Sequence, residues 1–246
     1  MNGVEQRRER VPNLTNAARA GKPRAAAASR CAQVAAARFA GNIPRMHGGN
    51  ACRPGCILTV SGRVFGRRSM AGTVLILVGP EYEDLEVWYP KLRLEEAGYA
   101  APLAGMGEAS YRGKHGYPAA VDGQARDWRA DELAGILAPG GWAPDKLRRD
   151  PQVLGLVRDV HARGGLVATI CHGPWVLISA GIVHGRRMTS TVGIRDDLVN
   201  AGALWVDEPV VCDGNIVSSR VPKDLPVFGA ACVRWLEQRG HGPSGR

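Results

Sequence analysis

The sequence lacks any apolar run long enough to cross a membrane. A membrane-spanning helix needs roughly 20 consecutive apolar residues, whereas the longest mainly apolar runs are residues 74–78 and 166–170. Runs of this length are typical of strands buried on both faces of a sheet. The sequence also contains no glycine-rich phosphate-binding loop and no nucleotide-binding signature. We therefore expect a protein with no membrane span and no bound cofactor.

Acidic residues are scarce in the first part of the chain. Residues 1–70 contain 13 Lys and Arg but only 2 Asp and Glu. Residues 71–246 contain 19 Lys and Arg and 21 Asp and Glu. The net charge of +9 therefore comes from the first segment and does not indicate a nucleic-acid surface on the remainder. Low hydrophobicity with high net charge predicts disorder for residues 1–70. A targeting peptide, a nucleic-acid-binding arm and a translation start at Met70 all stay open, and we favour the start at Met70.

The cysteines are too few for a disulfide framework in a chain of this length, since 246 residues contain six of them. A reducing, cytoplasmic compartment agrees better with this number. Cys52 and Cys56, with His47 nearby, supply three potential ligands but no second matching pair. We therefore expect no metal site.

From residue 73 onward, short apolar runs alternate with amphipathic segments. Strands are predicted at residues 73–78, 99–103, 133–138, 166–170, 210–212 and 216–219, and a hairpin turn at 113–118. Helices are predicted at residues 84–97, 145–163, 173–180, 196–201 and 224–238. The first helix is expected to present an apolar face made of Leu85, Trp88, Tyr89, Leu92 and Leu94. This alternation predicts an α/β domain over residues 71–238, a flavodoxin-like three-layer sandwich with a mainly parallel sheet, followed by a disordered tail at 239–246.

Cys171 lies where a buried strand meets a helix. In such folds the carboxyl ends of the strands form the ligand-binding edge. Free N–H groups and the dipole of the following helix favour a thiolate at this position, and Gly173 permits a tight turn. The arrangement is a cysteine version of a nucleophile elbow. The alternative is a structural buried cysteine, which is our interpretation of Cys212 and Cys232.

A series of short motifs carries a family resemblance. They are EYEDLE at 81–86, GKHGY at 113–117, PGGWAP at 139–144, ICHGP at 170–174, ISAG at 178–181, NAGA at 200–203, DGNIVSSR at 213–220 and PKDLP at 222–226. In this order they resemble the PfpI family of intracellular cysteine proteases. That family belongs to the class I glutamine amidotransferase-like superfamily, as does the Parkinson-associated deglycase.

The resemblance implies a role for each matching residue. Cys171 corresponds to the nucleophile and His172 to an adjacent base. Glu86 matches a carboxylate that hydrogen-bonds the cysteine, and a protonated carboxyl there would hold a thiolate. The backbone N–H groups of Gly141 and His172 match the oxyanion-binding pair.

Two positions depart from the family pattern. Asp145 stands where family proteases have a Glu that completes the triad of a neighbouring subunit. Thr191 stands at a substrate-binding position where a Tyr is common. The resemblance therefore implies a homo-oligomer, with exposed Trp142 as a candidate interface anchor, and weak protease activity.

These observations leave two classes of function open. The first is a cysteine-dependent hydrolase, either an intracellular peptidase or a deglycase acting on glyoxal and methylglyoxal adducts, with a small carbonyl compound or a peptide as substrate. The second is a non-catalytic stress-response protein that senses redox state through an oxidisable Cys171. A true glutamine amidotransferase is disfavoured because residues 219–222 lack the expected His.

Overall fold

The computed structural model describes residues 71–241. The expectations for residues 1–70, including the Cys52 and Cys56 pair, lie outside the described residues, as do residues 242–246. Residues Glu237–His241 form a short π-helical turn. Gly240 within this segment has a non-helical φ of +76°, and the disordered tail at residues 239–246 stays a prediction.

A seven-stranded sheet forms the centre of the domain. Its strands are β1 (Val74–Leu77), β2 (Leu103–Gly105), β5 (Gly123–Gln124), β6 (Gly135–Ala138), β7 (Leu166–Ile170), β10 (Val210–Asp213) and β11 (Ile216–Ser219). They are ordered β10-β11-β7-β6-β1-β2-β5, and only β10 and β11 pair antiparallel. Two small two-stranded sheets lie beside it, formed by β3 (Ser110–Arg112) with β4 (Pro118–Ala120) and by β8 (Arg187–Met188) with β9 (Leu204–Trp205). The mainly parallel sheet confirms the predicted fold class.

Helices form the outer layers. They are α1 (Asp84–Glu96), α2 (Ala143–Leu147), α3 (Pro151–Ala162), α4 (Pro174–Ser179), α5 (Arg195–Asn200) and α6 (Leu225–Leu236). Helices α1 and α6 pack against each other, whereas α4 packs against α2 and α3. Every residue of β1, β6 and β7 is buried, so the central strands are covered on both faces.

The predicted helix at residues 145–163 is two helices. Asp150 caps α3, accepting hydrogen bonds from the N–H groups of Gln152 (2.8 Å) and Val153 (3.4 Å). Pro151 occupies the first turn, where its missing N–H costs nothing. Because proline also disfavours helical conformation in the residue before it, α2 ends at Leu147 and α3 starts anew.

The second predicted strand is also displaced, since regular pairing begins at Leu103 and not at Tyr99. Pro102 has no N–H to donate to the sheet, although its carbonyl accepts from Ile76 at 2.9 Å. The regular ladder of β2 therefore starts only after the proline.

The predicted apolar face of α1 is partly wrong. Leu85 and Leu92 are 58% and 61% exposed, whereas the helix buries a stripe that contains Glu86, Pro90 and Leu94. These three positions are four residues apart and so share one face of the helix. The helix thus places the Glu86 carboxyl on its buried face, in line with the apolar side chains of Pro90 and Leu94.

Strand order brings the functional segments together. Strand β6 lies between β1 and β7 and pairs in parallel with both. The carboxyl ends of these three strands therefore lie along one edge of the sheet. The segments that follow them contain Glu86, the Gly140 and Gly141 pair, and Cys171.

Candidate active site

Cys171 occupies a strained turn at this edge. Its φ angle is +60°, in the left-handed region that non-glycine residues rarely adopt. Two hydrogen bonds hold it there: its N–H donates to Ser219 O at 3.2 Å, and its carbonyl accepts from the N–H of Thr191 at 3.2 Å. Strain held by surrounding bonds is common at reactive residues. The turn has the geometry of the predicted nucleophile elbow.

The turn depends on a glycine two residues later. A Cβ atom at Gly173 would overlap the carbonyl oxygen of Ala138 and approach Thr169 Oγ1 to 2.5 Å. The chain after Cys171 can therefore pass close to β6 and β7 only if residue 173 has no side chain.

Glu86 is fully buried beside Cys171. Its Oε2 accepts a hydrogen bond from the N–H of Gly140 at 2.7 Å, whereas its Oε1 has no hydrogen-bond partner among residues 71–241. Burial raises the pKa of Glu86 to about 8, although the bond from Gly140 and the nearby Cys171 thiol oppose the increase. At neutral pH the Glu86 carboxyl is therefore protonated and can donate to the sulfur.

Gly140 makes this close approach possible, which the sequence alone did not reveal. A Cβ atom at residue 140 would lie 2.6 Å from Cys171 Cβ and 3.0 Å from its Sγ, and it would overlap Glu86 Oε2. Glycine at this position therefore lets the carboxyl and the thiol pack against the same backbone segment.

The expected low pKa of the Cys171 thiol is wrong. Burial, followed by the charge of an ionised Glu86, raises the pKa of Cys171 to about 12, while hydrogen bonds from the N–H groups of Gly141 and His172 lower it. The expectation gave too much weight to the dipole of helix α4, which has only six residues. It also left out the burial of the thiol, which is clear only in the folded structure. When the Glu86 carboxyl is neutral, it no longer repels the negative charge of a Cys171 thiolate. The carboxyl must therefore keep its proton for a thiolate to form.

The His172 ring lies beside the thiol, as the predicted base would. Its Nδ1 lies 3.2 Å from Cys171 Sγ and accepts a proton in the tautomer that carries hydrogen on Nε2. Burial and the positive charge of Lys114 lower the pKa of His172, so the imidazole is neutral at pH 7. The ring lies between Trp142 and Trp175, with ring centroids 5.9 and 5.1 Å away.

The predicted oxyanion donors belong to residues beside the thiol. The backbone N–H groups of Gly141 and His172 lower the pKa of Cys171, against the larger effect of burial. Gly141 has a φ of +77°, and a Cβ there would overlap the carbonyl oxygen of Glu81. Thr191, predicted to bind substrate, contacts the turn through its backbone N–H.

The structure gives Asp145 two basic partners, one in α2 and one just after it. Its carboxylate accepts two bonds from Arg149, at 2.7 and 2.8 Å, and lies 3.3 Å from Lys146. The bond to Arg149 is the main reason why the pKa of Asp145 is lowered. These are its polar contacts among the described residues, and a role in a neighbouring subunit stays a prediction.

The hairpin of β3 and β4 is fixed against the start of α1, beside the site. Asp84 accepts from the N–H groups of His115 (2.8 Å) and Tyr117 (3.0 Å). Glu83 lies 3.3 Å from Lys114 and 3.5 Å from the His115 ring. Glu83, Asp84 and His115 bring potential metal-ligand atoms within 4.8 Å of one another, but these hydrogen bonds and ion pairs already use the acids. The hairpin therefore positions Lys114 near His172.

Comparison with known proteins decides the family. A sequence model of the DJ-1/PfpI family matches residues 72–234. The chain belongs to the DJ-1/PfpI family. Deglycase PfpI of Pyrococcus furiosus is 45% identical over 164 residues, covering 67% of this chain and 99% of the relative. Deglycase TK1284 of Thermococcus kodakarensis is 46% identical over 163 residues, covering 66% and 98%.

Solved structures of the DJ-1/PfpI family have the same fold. DJ-1beta of Drosophila melanogaster has a TM-score of 0.65 at 27% identity, with 68% of this chain and 91% of that chain covered. A two-domain protein from Anabaena variabilis, with DJ-1/ThiJ/PfpI-like and ferritin-like domains, has a TM-score of 0.66 at 38% identity and covers 68% and 48%. Within residues 71–241, no helix combines the length and apolar character of a membrane span.

Proposed function

We propose that this chain is a cysteine-dependent enzyme of the deglycase type, acting in a reducing, cytoplasmic compartment on α-oxoaldehydes or the adducts they form. The observation that carries the proposal is the set of groups around Cys171 Sγ. A neutral imidazole lies 3.2 Å away, two backbone N–H groups lower the pKa of the thiol, and a buried carboxyl stays protonated beside it. Two close relatives carry the name deglycase.

The reaction would begin with proton transfer from Cys171 Sγ to His172 Nδ1. The sulfur then bonds to the aldehyde carbon, and the carbonyl π electrons move to its oxygen. The N–H groups of Gly141 and His172 stabilise that developing charge, and the imidazolium returns its proton to the oxygen. The hydrogen on that carbon then moves with its electron pair to the neighbouring carbonyl carbon, and the hydroxyl proton passes to the oxygen of that carbonyl, which gives a thioester of a 2-hydroxy acid. One carbon is oxidised as its neighbour is reduced, so the reaction needs no external oxidant or reductant. Water then hydrolyses the thioester, which releases the 2-hydroxy acid and returns the thiol.

The position of Asp145 supports this chemistry over proteolysis. A protease triad would need a free carboxylate to orient His172. The Asp145 carboxylate is already bonded to Arg149 and Lys146 on its own chain. An aldehyde is more electrophilic than a peptide carbonyl. A neutral Cys171 and His172 pair beside a protonated Glu86 is therefore sufficient for attack on an aldehyde, without a third carboxylate to orient the imidazole.

The test is turnover of methylglyoxal and of a methylglyoxal-treated N-acetylarginine by purified protein, with release of the 2-hydroxy acid as the readout. Cys171→Ser should abolish turnover, whereas Cys212→Ser, which alters an exposed cysteine, should leave it unchanged. Equal turnover in Cys171→Ser and wild type would overturn the proposal. No turnover, combined with rapid oxidation of Cys171 by peroxide, would favour the redox-sensing alternative.

A further inference from the structure

An open groove runs between helix α3 and residues 125–132, which connect β5 to β6. Its volume is about 540 Å³, which lies within the range of cavities that bind small organic molecules. The residues that α3 contributes recur every three to four positions, so they form one stripe along the helix; they are Gln152, Gly155, Leu156, Asp159 and Ala162. We call this feature the α3 groove.

The α3 groove is separate from the site at Cys171. Residues 130–132 lead into the amino end of β6, and residues 162–163 lead into the amino end of β7. Cys171 follows the carboxyl end of β7, at the opposite edge of the sheet. The groove lining contains none of the residues assigned to the candidate active site, so a ligand there has no part in the chemistry at Cys171.

We propose that the α3 groove is a second binding site, which takes a small organic anion with a flat apolar body, such as an aromatic carboxylate or sulfonate. Three features of the groove carry the inference: an open helix wall at Gly155, an apolar opposite wall at Trp128, and an excess of positive charge on its rim.

Gly155 keeps the helix side of the α3 groove open. It lies in the interior of α3, where glycine costs about 1 kcal/mol relative to alanine. A Cβ atom at this position would meet no other atom within 4 Å, so packing among the described residues does not require a glycine. Residues that break a local rule without a packing reason are expected at functional positions. The missing side chain leaves room for a ligand against the helix.

Trp128 gives the opposite wall an apolar surface. Its Nε1 atom is buried without a hydrogen-bond partner among residues 71–241, and it lies beside Gly123, where a Cβ atom would approach it to 3.0 Å. Because this nitrogen is the single polar atom of the side chain, the accessible part of the indole is carbon. Small apolar side chains complete the lining, namely Ala125, Ala130 and Ala162. These surfaces favour a flat apolar ligand body.

The charge of the α3 groove favours an anion. Three arginines and two aspartates line it, an excess of one positive charge. Arg129 holds Asp131 through two hydrogen bonds, at 3.0 and 2.7 Å, and with a smaller contribution from Arg163 it lowers the pKa of Asp131. Arg163 itself forms no ion pair with the described residues, and Arg126 has one carboxylate 3.9 Å away, outside the lining. Asp159 opposes these charges, so its removal should strengthen anion binding.

Isothermal titration calorimetry with three probes tests the site without requiring any turnover. Naphthalene-2-sulfonate has both the flat body and the negative charge, 2-naphthylmethylammonium has the same body with the opposite charge, and sulfate has the charge alone. The sulfonate should bind with a Kd below about 1 mM, the affinity expected for a ligand of this size. The ammonium compound and sulfate should bind at least tenfold more weakly.

Variants then locate the binding in the groove. Gly155→Met fills the open wall with a residue that favours a helix, and it should weaken binding of the sulfonate at least tenfold. Arg163→Gln should weaken it roughly two- to fivefold, the range for one exposed charge pair, and Asp159→Asn should strengthen it by a similar factor. Arg158→Gln, on the same helix but outside the lining, is the matched control and should leave the Kd unchanged.

Three results would overturn the inference. The first is no binding of naphthalene-2-sulfonate up to about 1 mM. The second is an ammonium probe that binds as tightly as the sulfonate. The third is wild-type affinity for the sulfonate in Gly155→Met, with thermal unfolding showing that this variant is folded. If Gly155→Met does not fold, equal affinities of Arg163→Gln and Arg158→Gln would overturn it instead.

Discussion

Glu86→Gln should make the protein more stable, and increasingly so as the pH rises. The folded protein raises the pKa of Glu86 from 4.5 to about 8. Between these values the unfolded chain loses the Glu86 proton while the folded chain keeps it. The unfolded state then binds fewer protons, so the free energy of unfolding of the wild type decreases with rising pH. The stability is fully present below pH 4.5 and is lost as the pH approaches 8.

The magnitude follows from the size of the shift. Each pH unit in this window lowers the free energy of unfolding by about 1.4 kcal/mol, which gives about 3 kcal/mol at pH 7 and 4 to 5 kcal/mol above pH 8. Glutamine cannot ionise, but its carbonyl can still accept the N–H of Gly140. The variant should therefore match the wild type near pH 4.5 and exceed its stability by these amounts at higher pH.

Urea unfolding followed by tryptophan fluorescence, at intervals from pH 5 to pH 8.5, measures this difference. Glu95→Gln on the same helix is the matched control, since Glu95 is exposed and paired with Lys91; its difference from wild type should not grow with pH. A Glu86→Gln difference that stays constant across the range would refute a protonated Glu86. In the same variant, alkylation of Cys171 should be slower, because an amide donates more weakly to sulfur than a carboxylic acid.

Three further predictions test other parts of the account. Gly140→Ala should lower Cys171 alkylation at least tenfold and destabilise the fold by about 1 to 3 kcal/mol, since its Cβ has no room; Gly155→Ala, where a Cβ meets nothing within 4 Å, should not destabilise it. Light scattering should show a homo-oligomer of at least two copies, and Asp145→Asn should change turnover by less than roughly threefold, because its carboxylate is bonded to Lys146 and Arg149 of its own chain; a loss as large as that in His172→Ala would restore the shared-site arrangement. A truncated chain starting at Met70 should retain the activity and the midpoint of thermal unfolding of the full chain, and a large loss of either would show that the first segment contributes.

The sheet and the turn at Cys171 could be predicted because both depend on local sequence. An apolar run such as residues 166–170 needs burial on two faces, and a cysteine directly after it must lie at the sheet edge. The break between α2 and α3 was also visible in Asp150 and Pro151. The apolar periodicity continues on both sides of that local signal, so periodicity alone predicts a single helix.

The chemistry of the site was less predictable, because it depends on residues far apart in sequence. Glu86 and Cys171 are 85 positions apart in the chain, and the carboxyl was assigned only through the family resemblance. Lys114 reaches the site through a hairpin, and the need for Gly140 is clear only when its neighbours are in place. The direction of the Cys171 pKa shift was wrong for the same reason, since burial in the folded state outweighs the local N–H groups.

The most direct test of the central claim is to find the covalent intermediate on the proposed nucleophile. Protein mixed with methylglyoxal is quenched in acid over milliseconds to seconds, digested and analysed by mass spectrometry. The account predicts that a methylglyoxal-derived group appears on the peptide containing Cys171, at a rate no slower than turnover, and that it then decays to the 2-hydroxy acid. Turnover without any modification of Cys171, or the same turnover in Cys171→Ser, would contradict it.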